Sequence, residues 1–329
     1  MKLEPSPRFA QRAVSDGILD SLTVVDVGAS GGIGAQWRVL GDRLHAVGFD
    51  PLVQEVERLN ACETNRNVSY VAALVGLKNP QRSDRPDTRR NNQPWFRTST
   101  VRARTILGRT FAETHYDQTG ANELTHDKIE LNDYFAGQTV DFIKTDTDGF
   151  DVEVVMGAGT LLAQSPVLGL QVEVSLQGVQ EDDSANTFRN MDRLLQQAGF
   201  SFFDMELYRY TRAALPGKFR CPFATDTKEG QALGADLLYL RDISLPDYEQ
   251  VWGCRIEPQH VVRLACICET YGFADCAADF LVAYRDRLPF DVEPYLDALT
   301  PEFEGRQLSY REYNELFNRD VSAFYSKEA

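Results

Sequence analysis

Short apolar runs alternate with amphipathic segments along the first two thirds of the chain. Each run is four to nine residues long and rich in β-branched residues, which is typical of buried strands. The segment between the second and third runs places apolar residues at 52, 53, 56 and 59, on one helix face. Alternating units of this kind predict a mostly parallel sheet with helices on both sides. The five predicted strands are residues 22–28, 45–50, 69–76, 140–146 and 167–175.

The rhythm changes near residue 201. FSFFDMELYRYTR and GADLLYLRDI have the pattern of strands, and a long turn rich in Gly, Pro and Lys separates them without a helical pattern. A hairpin at the end of a parallel sheet requires one reversed strand. We therefore predict an α/β fold with a doubly wound, mostly parallel, seven-stranded sheet whose last strand is reversed. A boundary near LPDYEQ divides the chain into a domain at 1–245 and a helical extension at 246–329.

Composition excludes several classes of protein. The chain has 329 residues and a net charge of −15, from 49 acidic and 34 basic residues, which disfavours broad nucleic-acid binding. No apolar stretch reaches the length of a membrane helix, and the N-terminus has no signal-peptide core. The six cysteines lack the density of a disulfide scaffold. We expect a soluble cytoplasmic protein with no nucleic-acid partner and no membrane span.

The segment 78–104 reverses this charge locally. It carries eight Lys or Arg against two Asp and contains Pro and aromatic residues, which indicates an exposed loop. Arginine forks bind phosphate or carboxylate groups, and aromatic faces stack on sugar rings. We expect Arg89, Arg90, Trp95 and Arg97 to bind an acceptor that carries anionic groups. A solvated loop without a ligand is the alternative.

A glycine-rich turn follows the first strand, and a helix-forming segment follows the turn. The turn is Gly28-x-x-Gly31-Gly32-x-Gly34, and Asp50 ends the next strand 22 residues after Gly28. Glycine lets the backbone approach a ligand, and a carboxylate at the second strand end can accept both hydroxyls of an adenosine ribose. The combination indicates a nucleotide-type cofactor site.

Two enzyme classes share such a turn. GASGGIG is similar to the turn of short-chain dehydrogenases, which bind NAD or NADP, but no Tyr of this chain has the Lys four residues later that their chemistry needs. A class I methyltransferase instead has an acid before the glycines, as Asp26 is here, and a reversed last strand. A module that binds the cofactor or a glycan without turnover remains a further alternative.

Four motifs make the resemblance specific. VVDVGASGGIG, VGFDP, VDFIKTDTDGFDVEVVMGA and LQVEVS resemble the FkbM family of S-adenosyl-L-methionine-dependent methyltransferases over roughly residues 20–245. The chain departs from the usual fourth-strand motif at Thr145, Asp151 and Met156. The resemblance implies O-methylation of a hydroxyl on a sugar, glycan or related small molecule, and a role in glycan biosynthesis.

The resemblance also implies a set of site residues. Asp50 would hold the ribose, and Ala72 would lie near the adenine, with simple core packing as the alternative for Ala72. The methionine-binding turn would comprise Asp26, Gly28, Ala29, Gly31 and Gly34.

Asp146 and Glu173 end two neighbouring predicted strands, so their carboxylates should face the ligand crevice together. One of them is a candidate base for the acceptor hydroxyl, or both hydrogen-bond the acceptor. Chelation of a divalent metal is an alternative that we do not favour, and we assign no metal ligands. His115 is a further candidate base, since imidazole titrates near neutrality, although an exposed idle His fits as well.

The sequence does not identify a binding partner for the C-terminal helical extension, residues 246–329. Cysteines at 254, 266, 268 and 276 have poor spacing for zinc and are expected to be buried thiols. The helices of 246–329 are candidates for homodimerisation or for docking to a glycan-assembly partner. The sequence does not specify the acceptor, the methylated position or the oligomeric state.

Overall fold

The computed structural model describes residues 1–78, 94–107, 127–164, 167–177 and 185–325. These residues form two compact units. One unit contains Met1, residues 23–33 and residues 45–241, and the other contains residues 2–22, 34–44 and 242–329. The division into 1–245 and 246–329 stays a prediction, and the described units group residues 2–22 and 34–44 with the C-terminal part of the chain.

The strands of the described residues are β1 Leu22–Val27, β2 Leu44–Asp50, β3 Val68–Ala72, β4 Leu74–Val75, β5 Lys128–Ile129, β6 Phe142–Thr145, β7 Gly169–Ser175, β8 Ser201–Tyr210 and β9 Gln231–Leu240. Seven of them form one sheet in the order β3-β2-β1-β6-β7-β9-β8. Neighbouring strands are parallel except at β9, which is antiparallel to both β7 and β8. The fold class is confirmed: the sheet is mostly parallel and its last strand is reversed. The two remaining strands, β4 and β5, form a separate parallel pair.

Helices connect the strands of the first unit. Two of them begin at a threonine cap: Thr98 accepts a hydrogen bond from the backbone of Val101, and Thr187 accepts one from Asn190. These helices are α2 Val53–Cys62, α3 Ser99–Ile106, α4 Leu131–Tyr134, α5 Asp151–Gly157, α6 Gly159–Gln164 and α7 Phe188–Gln197.

Burial alternates along the strands at the reversed end of the sheet. Leu170, Val172 and Val174 of β7 are fully buried in the core, together with Ala235 and Leu237 of β9. The residues between them point to the opposite face because side chains alternate along a strand. Those residues, Gln171, Glu173 and Asp236, are half-buried and polar. Together with the half-buried Tyr208 of the neighbouring β8 strand, we call them the polar strip.

The second unit is helical. A buried carboxylate, Glu269, holds its first helix, since both carboxylate oxygens accept backbone N–H groups, from Phe9 and Ala10, at 2.8 Å. The predicted helix after the glycine-rich turn is a 3₁₀-helix, Ala35–Arg43, interrupted at Gly41. The α-helices are α1 Arg8–Ser15, α8 Tyr248–Trp252, α9 Pro258–Thr270, α10 Ala274–Ala283, α11 Glu293–Leu299 and α12 Tyr310–Arg319.

The cysteines are free thiols, and Cys266 and Cys268 are buried within α9. Among the helices that the structure describes, none combines the length and apolarity needed to span a bilayer.

Candidate active site

The turn after β1 lies directly against the end of β6. Gly28 has φ +85°, and a Cβ atom at this position would lie 1.9 Å from the carbonyl oxygen of Asp146. The Asp146 N–H donates to the carbonyl of Val27 at 2.9 Å, which holds the two chain segments together. Both the backbone conformation and the close approach therefore require glycine here.

The N–H groups of the glycine turn, residues 28–33, are engaged within the protein. Unpaired N–H groups in such a turn would suit the carboxylate of a bound ligand. Instead, each has an acceptor in the fold, and the carboxylates around the turn are better suited to the cationic part of a ligand. The acceptors are Phe49 O for Gly28 (2.8 Å) and Ala29 (2.9 Å), Asp50 for Ser30, Glu55 Oε1 for Gly31 (3.0 Å), Ala29 O for Gly32 (2.9 Å) and the Tyr70 hydroxyl for Ile33 (3.1 Å).

Asp26, Lys144 and Asp146 form an ionic cluster at the ends of β1 and β6. The Lys144 ammonium lies 3.2 Å from Asp26 Oδ1 and 3.4 Å from Asp146 Oδ2. Burial raises the pKa of Asp26, although Lys144 opposes that shift. Burial also opposes the charge of Lys144, but the two carboxylates outweigh it and raise the pKa of the amine. Asp146 has a side chain that is 54% exposed, so this carboxylate is open to a ligand.

Asp50 and Ala72 lie side by side at the ends of β2 and β3, where their Cα atoms are in register. Asp50 is only 4% exposed, and its Oδ1 accepts the Leu52 N–H at 2.8 Å. Burial raises the pKa of this carboxyl, while backbone hydrogen bonds from Leu52 and Ser30 counteract the shift. The carboxylate is thus fixed in orientation beside the glycine turn.

Glu173 and Asp236 face each other across β7 and β9. Burial raises the pKa of Glu173 to about 9, and the carboxylates of Asp146, Asp151, Asp236 and Asp148 add to the shift. Burial raises the pKa of Asp236 to about 6, a smaller shift, because hydrogen bonds from Tyr208 and Gln171 favour its charged form. Two adjacent carboxyl groups therefore differ in protonation at neutral pH.

Asp151, at a departure from the family motif, is a buried first residue of α5. The Thr147 hydroxyl donates to its Oδ2 at 3.0 Å, and the Asn186 amide donates to the same oxygen at 3.1 Å. The Asn186 amide also donates to the carbonyl of Glu173 at 3.1 Å. Asp151 therefore joins the end of β6 to the end of β7, next to the candidate catalytic carboxylates.

The described end of the basic segment lies near the polar strip. The Trp95 ring packs edge-on against Tyr210, with 4.6 Å between ring centroids, and the Arg104 guanidinium lies 5.9 Å from the centre of the Trp95 ring. Arg104 also lowers the pKa of Asp148, although burial raises that pKa overall. The side chain of Arg97 is exposed, and its carbonyl accepts the Ala213 N–H at 2.8 Å.

The structure brings Asp26, Gly28, Ala29, Asp50, Ala72, Asp146 and Glu173 to one end of the strands. Gly31 lies in the same turn, and Gly34 begins the 3₁₀-helix that belongs to the other compact unit. Arg89, Arg90 and His115 lie outside the described residues. Within the described ranges, no group of three or more His, Cys, Asp or Glu side chains is arranged to hold a metal ion.

Sequence reasoning missed Asp236, Tyr208 and Gln171. The signal for Gln171 and Asp236 is the alternation of polar and apolar residues in LQVEVS and GADLLYL, which places both on one sheet face, whereas Tyr208 lies on β8 outside these segments. The pairing of Glu173 with Asp236 needs in addition the antiparallel register of β7 and β9.

Comparison with protein families decides between the two cofactor classes. The methyltransferase FkbM domain matches residues 26–202, which is more than half of the chain. The chain belongs to the FkbM methyltransferase family. The dehydrogenase alternative is therefore set aside, and the resemblance read from the four motifs is confirmed.

Solved structures similar to this chain include several methyltransferases. Magnesium protoporphyrin IX methyltransferase from Synechocystis, with bound S-adenosylhomocysteine, is 13% identical, with 70% of this chain and 80% of that chain covered and a TM-score of 0.30. A methyltransferase from Aquifex aeolicus is 11% identical, with 72% of this chain and 93% of that chain covered and a TM-score of 0.29. A TehB-like methyltransferase from Corynebacterium glutamicum is 9% identical, with 70% of this chain and 87% of that chain covered and a TM-score of 0.28. A search of curated proteins found no match.

S-adenosylmethionine is the cofactor of the family, and the prediction of this cofactor is confirmed. The residues at the strand ends fit it. Carboxylates of the kind expected for the ammonium and ribose groups of this cofactor, Asp26 and Asp50, lie at the ends of the two strands next to the glycine turn.

Proposed function

We propose that the protein is an S-adenosylmethionine-dependent O-methyltransferase that acts on a hydroxyl of a sugar, glycan or related small molecule. The observation that carries this proposal is the set of carboxyl groups at the end of β6 and on β7 and β9, namely Asp146, Glu173 and Asp236. Carboxyl groups bind hydroxyls well, and a carboxylate can also accept the proton that a hydroxyl loses on methylation.

In this proposal the donor and the acceptor are held by different residues. Asp26 and the glycine turn hold the methionine part of the donor, and Asp50 with Ala72 holds the adenosyl part. S-adenosylmethionine supplies a methyl group that its sulfonium already activates. The protein has to align the acceptor oxygen and exclude water, and positioning of this kind supplies about 7–11 kcal/mol of a reaction barrier.

Asp146 is the group best placed to orient the acceptor hydroxyl. Its side chain is exposed while its backbone is fixed against Gly28, so the carboxylate lies at a set position beside the turn. The ammonium of Lys144 lies 3.4 Å from this carboxylate. His115 stays a candidate base.

We also propose that the acceptor carries an anionic group. Trp95 offers a ring next to Tyr210, and Arg104 lies over that ring near Asp148. Arg89, Arg90 and Arg97 would bind phosphate or carboxylate groups of a nucleotide sugar, lipid-linked sugar or acidic glycan. The Arg89→Ala, Arg90→Ala double variant should then have a raised KM for such an acceptor and an unchanged affinity for S-adenosylhomocysteine.

The test is transfer of a radiolabelled methyl group from S-adenosylmethionine into glycan, nucleotide-sugar, protein and RNA fractions of a cell extract. We expect label in a glycan or nucleotide-sugar fraction, stable to mild base as an ether is. Asp146→Asn should abolish the labelling while calorimetry still detects S-adenosylhomocysteine. Label confined to the protein or RNA fraction would contradict the proposed acceptor class.

The role of the extension remains a proposal as well. Helices of residues 246–329 would mediate a homodimer or contact with a glycan-assembly partner. Sedimentation of the full chain over a hundredfold range of concentration tests the homodimer directly.

A further inference from the structure

The polar strip contains two carboxyl groups that occupy matched positions. Glu173 on β7 and Asp236 on β9 are directly opposite each other in an antiparallel pair, where Cβ atoms are about 4.5–5.5 Å apart. Both side chains are half-buried, so a ligand can reach them. Two neighbouring carboxyl groups in a partly buried site resist being ionised together, so one of them is favoured in its neutral form.

Hydrogen-bond donors distinguish the two groups. The Gln171 amide donates to Asp236 Oδ2 at 3.2 Å, and the Tyr208 hydroxyl also donates to Asp236. Both donors favour the charged form of Asp236. The electrostatic neighbours of Glu173 are instead acidic groups, which favour its neutral form.

We propose that Asp236 is the base that takes up the proton of the acceptor hydroxyl, and that Glu173 is the neutral acid that hydrogen-bonds the acceptor. This inference rests on the proposed O-methylation. The acceptor oxygen forms a new bond to the methyl carbon while the carbon–sulfur bond breaks with its electron pair going to sulfur, and the hydroxyl proton passes to Asp236 and then to water.

Tyr208 and Gln171 are positioning residues in this arrangement. They fix the orientation of the Asp236 carboxylate and keep it charged, and they do so through contacts on the same sheet face. The charges around the pair come from every neighbouring strand. The titratable groups that face Asp236 and Glu173 are Lys144, Asp146, Asp148 and Asp151 at β6 and the start of α5, and Glu206, Tyr208 and Tyr210 on β8.

Both pKa values are raised, but by unequal amounts, and this inequality agrees with the geometry. Asp236 should lose its proton near pH 6 and Glu173 near pH 9, so the pair holds one proton between these values. The pH profile of kcat should therefore be bell-shaped with limbs near these two values.

The first experiment is the pH profile of methyl transfer, with the glycan fraction labelled above as the acceptor. Asp236→Asn should lower kcat by about 10²–10⁴-fold and remove the acid limb. Tyr208→Phe should keep most of the maximal rate but move the acid limb upwards by about one pH unit, since one hydrogen bond to the charged form is lost. Asp204→Asn, a half-buried carboxylate two residues before Glu206 on β8, is the matched control and should leave the profile unchanged.

A second readout does not depend on activity. Infrared difference spectra of the full chain at pH 7.5 should show a protonated carboxyl band that Glu173→Gln removes and Asp204→Asn keeps. Loss of this band in Asp236→Asn, or its persistence in Glu173→Gln, would assign the proton to another group and overturn the inference.

The two experiments separate failure of the inference from failure of the proposed function. Wild-type transfer to the glycan fraction, with an acid limb that Asp236→Asn retains, leaves the O-methyltransferase in place and removes Asp236 as its base. Failure of the wild type to label any hydroxyl acceptor removes the proposed function and the base with it, whereas the carboxyl band then still reports how the pair divides its proton.

Discussion

The two ends of the sheet handle buried carboxylates in different ways. At the donor edge, which we define as Asp26, residues 28–33 and Asp50, each carboxylate is matched by a nearby cation or by backbone N–H groups. Burial raises the pKa values of carboxyl groups in both regions, but in the polar strip the acidic groups face one another. Under the proposed function the donor edge would bind a fixed ligand, and the polar strip would move a proton.

This difference teaches which substitutions should disturb binding and which should disturb chemistry. Changes at the donor edge should alter folding and donor affinity together, since the same contacts hold the turn and form the site. Changes in the polar strip should alter the pH dependence first. The following predictions test this separation. The substitutions come in order of the expected loss in the free energy of unfolding, and the pH dependence comes last.

The largest effect is expected at Gly28. Gly28→Ala would place a Cβ 1.9 Å from the Asp146 carbonyl at a φ of +85°, so the turn and the end of β6 have to separate. We expect a loss of about 4 kcal/mol or more in the free energy of unfolding and loss of S-adenosylhomocysteine binding, measured by chemical denaturation and calorimetry.

Gly31→Ala is the control for Gly28→Ala. Gly31 has nearly the same φ, +86°, but a Cβ there would meet no atom within 4 Å. It should cost about 1 kcal/mol from backbone strain alone. Equal losses in the two variants would show that φ, and not contact with Asp146, explains the glycine.

An intermediate effect is expected at Lys144. Lys144→Met leaves Asp26 buried without its cation, which costs about 3 kcal/mol at neutral pH. The loss should shrink as the pH falls, because protonation of Asp26 removes the unpaired charge. Denaturation at several pH values measures this, and Asp26→Asn combined with Lys144→Met should recover much of the loss; no recovery would argue against the ion pair.

The last prediction concerns how stability changes with pH, so it stands outside that order of sizes; it comes from the titration of Glu173. Its pKa in the folded protein lies near 9, above the ordinary 4.5, so the folded state holds the proton more tightly than the unfolded chain. The resulting stabilisation is complete below about pH 4.5 and is lost as the pH rises towards 9. We expect a contribution to the slope of up to about 1.4 kcal/mol per pH unit.

Glu173→Gln isolates that slope from the rest of the protein. The variant should be less sensitive to pH than the wild type between pH 5 and 8, as measured by the free energy of unfolding. Parallel curves for the two proteins would mean that Glu173 is ionised in the fold.

The sequence predicts the donor edge well because its signals are local. The glycine turn, Asp26 and Asp50 lie within 25 residues of one another and follow apolar strands, so their meeting at the strand ends is determined by the parallel sheet. The structure adds Lys144, which pairs with both Asp26 and Asp146.

The polar strip could not be predicted to the same extent. Asp236 follows Glu173 by 63 residues, and their pairing depends on the antiparallel register of β7 and β9. The protonation of Glu173 depends on burial and on four acidic neighbours contributed by different elements. Neither property has a local signature in the chain. The 3₁₀-helix after the turn was missed as well, because Gly41 interrupts an otherwise helical pattern.

The close approach of Gly28 to the Asp146 carbonyl has a consequence for engineering. Main-chain atoms alone set the spacing between the turn and the Asp146 backbone, so side-chain replacement around the pocket leaves that spacing unaltered. Under the proposed function, substitutions in the polar strip and the basic segment would change the acceptor preference, while the distance between the glycine turn and the Asp146 backbone stays constant.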